Sequence, residues 1–202
     1  VAAIAARARL AGRRSVRILE VGAGAASASA ALLDAFAADG GLDRIAAYTI
    51  TEPAALFRRR GERALRARWP ALPLRFASLD IDRPWAEQGA PTAGFDLVFA
   101  VNVLHVARDL PYSLGQARAC LAPGGWLVAG ECLRPRQGEP VAIEFVFQLL
   151  DGFRGVTTDA VLRPEAGFLT AGQWQALFAC AGFAETQISP DHARIAPILP
   201  RL

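Results

Sequence analysis

The 202-residue chain is 53% hydrophobic and 20% charged, a globular composition that fits one well-buried domain better than two. Its net charge of +3 is too small for the dense basic face of a nucleic-acid binder, and no apolar run approaches the roughly 20 residues that span a bilayer. Residues 1–10 are alanine-rich with Arg7 and Arg9 at helical spacing and lack the features of a secretory leader, so a cytoplasmic protein is expected.

In chain order, strands and helices alternate. Residues 16–21 (VRILEV) form a short apolar run ending at Gly22, the pattern of a buried parallel strand. Residues 26–38 follow as a helix, closed by Asp39-Gly40-Gly41. A second strand at 46–51 (AAYTIT) leads into a helix over 54–69, stopped by Pro70. Third and fourth strands are predicted at 74–79 and 95–101 (FDLVFAV). A helix over 110–121 comes next, and a fifth strand at 126–131 after the Pro123-Gly124-Gly125 turn. Helices at 143–152 and 173–180 and a late strand at 183–188 complete the reading. Such alternation predicts a doubly wound α/β domain, Rossmann-like, with a mostly parallel sheet. Its ligand site would lie outside the carboxyl ends of the strands. The chain begins at Val1 and contains no methionine and no lysine, which suggests a single core domain cut from a longer polypeptide. Three cysteines without metal spacing and two histidines, His105 and His192, leave no expectation of a metal site or a disulfide framework.

The strand ends therefore carry the chemistry. Glu20-Val21-Gly22-Ala23-Gly24 closes the first strand, where Gly22 and Gly24 permit a tight turn and a close backbone approach to a ligand. A nicotinamide fingerprint would want glycine where Ser27 stands, which disfavours that cofactor. Glu20 is a strand carboxylate that is costly to bury without a partner. Glu52, at the tip of the second strand, suits the two hydroxyls of a ribose, although an acid before Pro53 is also good helix-start chemistry. Asp80 can accept an adenine amino group while Ile81 covers the ring; a surface-loop acid beside Asp82 is the plainer alternative. Asn102 and His105 follow the fourth strand, and Glu131 ends the fifth. A lone histidine is most often a hydrogen-bonded structural residue. One at the mouth of such a site, with a carboxylate to orient it, is a candidate base.

ILEVGAG, YTITEP, FASLDID, FDLVFAVNVLHVARDL and LAPGGWLVAGECLRP, in that order, resemble the class I S-adenosylmethionine-dependent methyltransferases. With the tail LRPEAGFLTAGQWQALFACAGF, the string is similar to the C-methyltransferase domains of polyketide synthases and hybrid synthetases, over residues 16–183. The resemblance implies S-adenosyl-L-methionine as cofactor. Glu20, Gly22, Ala23 and Gly24 would hold its methionine part, Glu52 the ribose, Asp80 and Ile81 the adenine, and Asn102 the region of the sulfonium. His105 and Glu131 match the family's catalytic pair. The implied reaction is methylation at the α-carbon of a β-ketoacyl thioester on an acyl carrier protein. Arg58, Arg59, Arg60, Arg63 and Arg66 could meet that acidic carrier, or simply form a solvated helix face. Three departures stand out. The loop reads GAGAASAS, with Ala26 where the family has its third glycine. The segment EFVFQLLDGFRG lacks the family's double tryptophan, and a helical lid before the first strand is absent or nearly so. Alternatives are an O-methyltransferase acting on a β-hydroxyl, and a catalytically inactive methyltransferase-like structural domain.

Overall fold

The computed structural model describes residues 1–139, 141–149 and 151–189; His192 lies outside them. Helix α1 (Ala2–Arg9) precedes strand β1 (Val16–Val21), followed by α2 (Ser27–Ala37), β2 (Ile45–Thr51), α3 (Ala55–Arg68) and β3 (Leu74–Ala77). Then come β4 (Phe95–Val101), α4 (Leu110–Cys120), β5 (Leu121–Gly130) and three further helices, α5 (Glu144–Phe147), α6 (Asp151–Arg154) and α7 (Ala171–Cys180). The five strands pair in the order β3-β2-β1-β4-β5, all parallel.

That order places the site. After β3 the chain returns to the centre and lays β4 beside β1, so strand order reverses between these two and a crevice opens beyond their carboxyl ends. Glu20 pairs with Ile50 on one side and Phe99 on the other, so the tips of β1, β2 and β4 end level. β1 and β4 are buried almost throughout, as central parallel strands must be when helices cover both faces. Alternate residues feed two cores. Leu19, Val21, Val98 and Ala100 pack towards α4 and α7; Ile18, Tyr48, Ile50, Leu97 and Phe99 pack with Leu32, Leu33 and Phe36 of α2. Side-chain caps fix two helices: the Asp109 carboxylate accepts from Tyr112 N at α4, and Thr170 with Gln173 forms a capping box at α7.

Three expectations are corrected. β5 begins at Leu121: Phe95 pairs with Leu121 and Leu97 with Trp126, so Pro123-Gly124-Gly125 is a bulge within the strand, with Gly124 at φ +70. The helix expected over 143–152 ends at Phe147 and is replaced by the short α5 and α6, because Glu144 is drawn inward to Arg134 while Phe145, Val146 and Leu149 stay exposed. No strand forms at 183–188. Phe183 and Ile188, its large apolar residues, are five apart and would face opposite sides of a strand; Phe183 instead meets Phe178 edge-on. A cavity of about 710 Å³ lies between this segment, α1 and the outer edge of β5, which no strand pairs among the described residues. No described helix is long and apolar enough to cross a membrane.

Candidate active site

The loop after β1 is built from left-handed backbone. Gly22, Gly24 and Ala26 all have positive φ, at +64, +54 and +67. A side chain at Gly22 would strike Val103, with a Cβ placed 2.3 Å from Val103 Cγ2, so this glycine lets the β1 and β4 loops touch. At Gly24 nothing among the described residues lies within 4 Å of that position, leaving backbone open to a ligand. Ala23 N donates to Thr51 O (2.9 Å), tying the loop to the tip of β2.

Ala26 carries the strain that glycine would avoid, and its methyl has a matching gap. A Cβ on Gly61 of α3 would sit 2.9 Å from Ala26 Cβ, with backbone no nearer than 3.5 Å. Moving the methyl across, as Ala26→Gly with Gly61→Ala, keeps the packed volume. It relieves about 1 kcal/mol of left-handed strain and gains about 1 kcal/mol of helix propensity. The double variant is expected to melt higher than wild type, and Gly61→Ala alone no higher. A double variant no more stable than wild type would show that Ala26 bears no strain.

Glu52 is 8% exposed and splits its carboxylate between two backbone donors, Gly24 N to Oε2 (2.9 Å) and Ala54 N to Oε1 (2.8 Å). It is thus joined to the glycine loop, and helix α3 starts beyond it without a side-chain cap. Each oxygen keeps a lone pair for a further donor. Glu20 lies deeper, 1% exposed, where Tyr48 Oη donates to its Oε2 (2.5 Å). Its Oε1 has no hydrogen-bond partner among the described residues. Burial pushes the Glu20 carboxyl up to about 7, against the weaker pull of the bonded Tyr48 hydroxyl and of the Ser29 hydroxyl, which makes no hydrogen bond among the described residues. An orphaned buried acceptor, an open glycine backbone and a half-used carboxylate together fit a ligand with a cationic end and a diol.

Asp80 and Ile81 stand on a loop past β3 and make no bond to these groups. Asp80 is exposed; its Oδ1 accepts Asp82 N (3.0 Å), and Gln88 brackets its backbone. The Ile81 carbonyl takes Trp85 Nε1 and Ser113 Oγ. Asn102, exposed at φ +55, turns the chain off β4, with its N donating to Gly130 O (2.7 Å).

His105 and Glu131 meet. Glu131 Oε2 lies 2.7 Å from His105 Nδ1, while Oε1 accepts Val103 N (3.0 Å) and Leu104 N (2.8 Å). Both side chains are nearly inaccessible, at 2% and 4%. The carboxylate at the end of β5 thus holds both the turn at Leu104–Val106 and the ring it carries. Three phenylalanines stand edge-on around the imidazole, Phe168 at 4.9 Å, Phe153 at 5.7 Å and Phe147 at 6.4 Å between centroids. Phe147 and Phe153 come from the segment that lacks the double tryptophan.

A family model described as a methyltransferase domain matches residues 19–127, just over half of the chain. The chain belongs to this methyltransferase family. It is 33% identical over 177 residues to the hybrid PKS-NRPS synthetase apdA of Emericella nidulans, covering 86% of this chain and 4% of that protein. The carbon methyltransferase of CurJ superposes with a TM-score of 0.75 at 26% identity, over 94% of this chain and 50% of that one. The trans-methyltransferase CalH, solved with SAH, gives 0.73 at 29% identity, over 85% and 45%. The methyltransferase chain therefore spans a small part of its curated relatives and about half of these solved structures.

The structure adds residues to which the motifs assigned no role. Tyr48 answers Glu20; a tyrosine in an otherwise aliphatic and threonine-rich strand was its signal. Arg134 Nη2 donates to both carboxylate oxygens of Glu144 (2.8 and 3.0 Å) and Nη1 pairs with Glu165, joining the chain after β5 to α5 and to the LRPE segment. On α3, Arg58 is engaged by the Glu52 carbonyl and Arg66 by Glu62; Arg59, Arg60 and Arg63 are exposed. No group of histidine, cysteine and carboxylate suited to a metal occurs among the described residues.

Proposed function

We propose that this domain, as one part of a longer cytoplasmic polyketide synthase, methylates the α-carbon of a β-ketoacyl thioester presented by an acyl carrier protein. The observation that carries the reading is the buried His105–Glu131 pair beside the glycine loop. The α-carbon between two carbonyls is acidic enough for one positioned base. With Nδ1 held by Glu131, His105 takes that proton at Nε2. S-adenosylmethionine, when bound, supplies an activated methyl for the enolate to attack. Glu20 and the backbone at Gly22, Ala23 and Gly24 would hold its amino acid end. Glu52 would take the ribose, Asp80 and Ile81 the adenine, and Asn102 the edge nearest the sulfonium. Phe147, Phe153 and Phe168 keep water from the base, which strengthens each charge interaction there.

The test is mass spectrometry of an acetoacetyl thioester and a 3-hydroxybutyryl thioester, each incubated with the protein and S-adenosylmethionine. Methyl on carbon in the first is expected. Methyl on oxygen in the second would move the assignment to O-methylation, and no transfer to either would favour a structural domain.

A further inference from the structure

Arg163 is 2% exposed, and the hydrogen bonds of its guanidinium among the described residues go to backbone carbonyls and not to a carboxylate, an unusual condition for a buried cation. Its two terminal nitrogens go to backbone instead: Nη1 donates to Ala107 O (2.7 Å) and Nη2 to His105 O. Nε has no partner. The side chain is delivered by a tight turn, in which Asp159 and Arg163 exchange backbone hydrogen bonds (2.8 and 3.1 Å) and Asp159 Oδ1 accepts Val161 N and Leu162 N. Burial pushes the guanidinium down to about 10, with Asp82 opposing, so it stays charged near neutral pH.

The turn that bears His105 is thus held from two directions. Glu131 takes its amide hydrogens at Val103 and Leu104, and Arg163 takes its carbonyls at His105 and Ala107. A single 3-10 turn of three residues has few bonds of its own to resist rotation of the ring it carries. We propose that Arg163 is a positioning residue for the base, its planar fork fixing the backbone from which His105 presents Nε2. This rests on the reading of His105 as the base.

Arg163→Lys keeps the charge but replaces the fork with a point donor that cannot span both carbonyls as the guanidinium does. Using acetoacetyl thioester and S-adenosylmethionine, kcat is expected to fall about ten- to a hundredfold, with KM, affinity for S-adenosylhomocysteine and melting temperature nearly unchanged. In the His105→Ala background the same substitution should change nothing further. A readout independent of turnover is the imidazole Nδ1 proton in nitrogen-15 NMR, which is tractable because the chain has two histidines. Its signal should be protected from exchange in wild type and lost in Arg163→Lys.

Unchanged kcat and an unchanged Nδ1 signal would overturn the proposal. So would equal losses from Arg163→Lys in wild type and in His105→Ala. If Arg163→Lys does not fold, Arg163→Gln repeats the measurement with one donor group. Failure of both to fold would make Arg163 a support of the whole domain and overturn the positioning role. If His105→Ala itself keeps full activity, the reading of His105 as base fails instead, which is a separate outcome.

Discussion

His105→Ala is expected to lower kcat about 10²–10⁴-fold while leaving affinity for S-adenosylhomocysteine unchanged, since positioned general bases contribute about that much. The geometry supports a selective loss. His105 makes its side-chain hydrogen bond to Glu131, whereas the cradle at Gly24 and Glu52 is bonded separately. Glu131→Gln is expected to do comparable harm by another route. Glu131 Oε1 is committed to two backbone amides, so a glutamine there must keep its carbonyl oxygen on them and turn its amide nitrogen to the ring. That nitrogen donates to Nδ1, the ring proton moves to Nε2, and the face meant to accept a proton already has one. A bond-preserving substitution that enforces the wrong tautomer can cost about 10⁴-fold in a related dyad. Steady-state kinetics on both variants, with calorimetry for S-adenosylhomocysteine, checks this. Full turnover in His105→Ala would leave His105 as a structural residue in a phenylalanine nest.

Much of this candidate site was legible because a parallel sheet puts its strand-end residues at one place in the local pattern. Glu52, Asn102 and Glu131 each stand directly past an apolar run whose end is marked by a change to polar residues or glycine, and β1 and β4 formed over the residues expected. What stayed hidden depends on register and on distance along the chain. Glu20 and Tyr48 meet because β1 and β2 align Ile18 with Tyr48, a choice no local pattern encodes. Arg163 reaches His105 across 58 residues, from a turn that carries no periodicity. The segment 143–152 read as one helix because its apolar residues are dense. Density says nothing about which face is covered, and here Glu144, a charged residue, went inside to Arg134.

Glu20 gives the second large expected effect, on stability rather than rate. Its carboxyl is raised from an ordinary 4.5 to about 7, chiefly by burial. A group that binds its proton more tightly folded than unfolded stabilises the fold fully below the unfolded value. That contribution is lost as pH rises through the folded value. Each unit between the two is worth about 1.4 kcal/mol, so between pH 4.5 and about 7 the fold should lose about 3 kcal/mol from this residue, with no further loss above. Glu20→Gln keeps an acceptor for Tyr48 and has no charge to bury. It is therefore expected to exceed wild type by about 3 kcal/mol at pH 8, and to match it near pH 4.5, in urea titrations. Parallel curves for the two proteins across this range would mean that Glu20 is already ionised and satisfied. Ligand binding gives the complementary measurement. If the unpartnered Oε1 meets the ammonium of S-adenosylhomocysteine, binding at pH 6 must ionise Glu20 and release a proton. Calorimetry in two buffers of different ionisation enthalpy reads that proton directly, and Glu20→Gln should abolish it. Binding without proton release in wild type would place the ammonium elsewhere and leave Glu20 as a partner of Tyr48 alone.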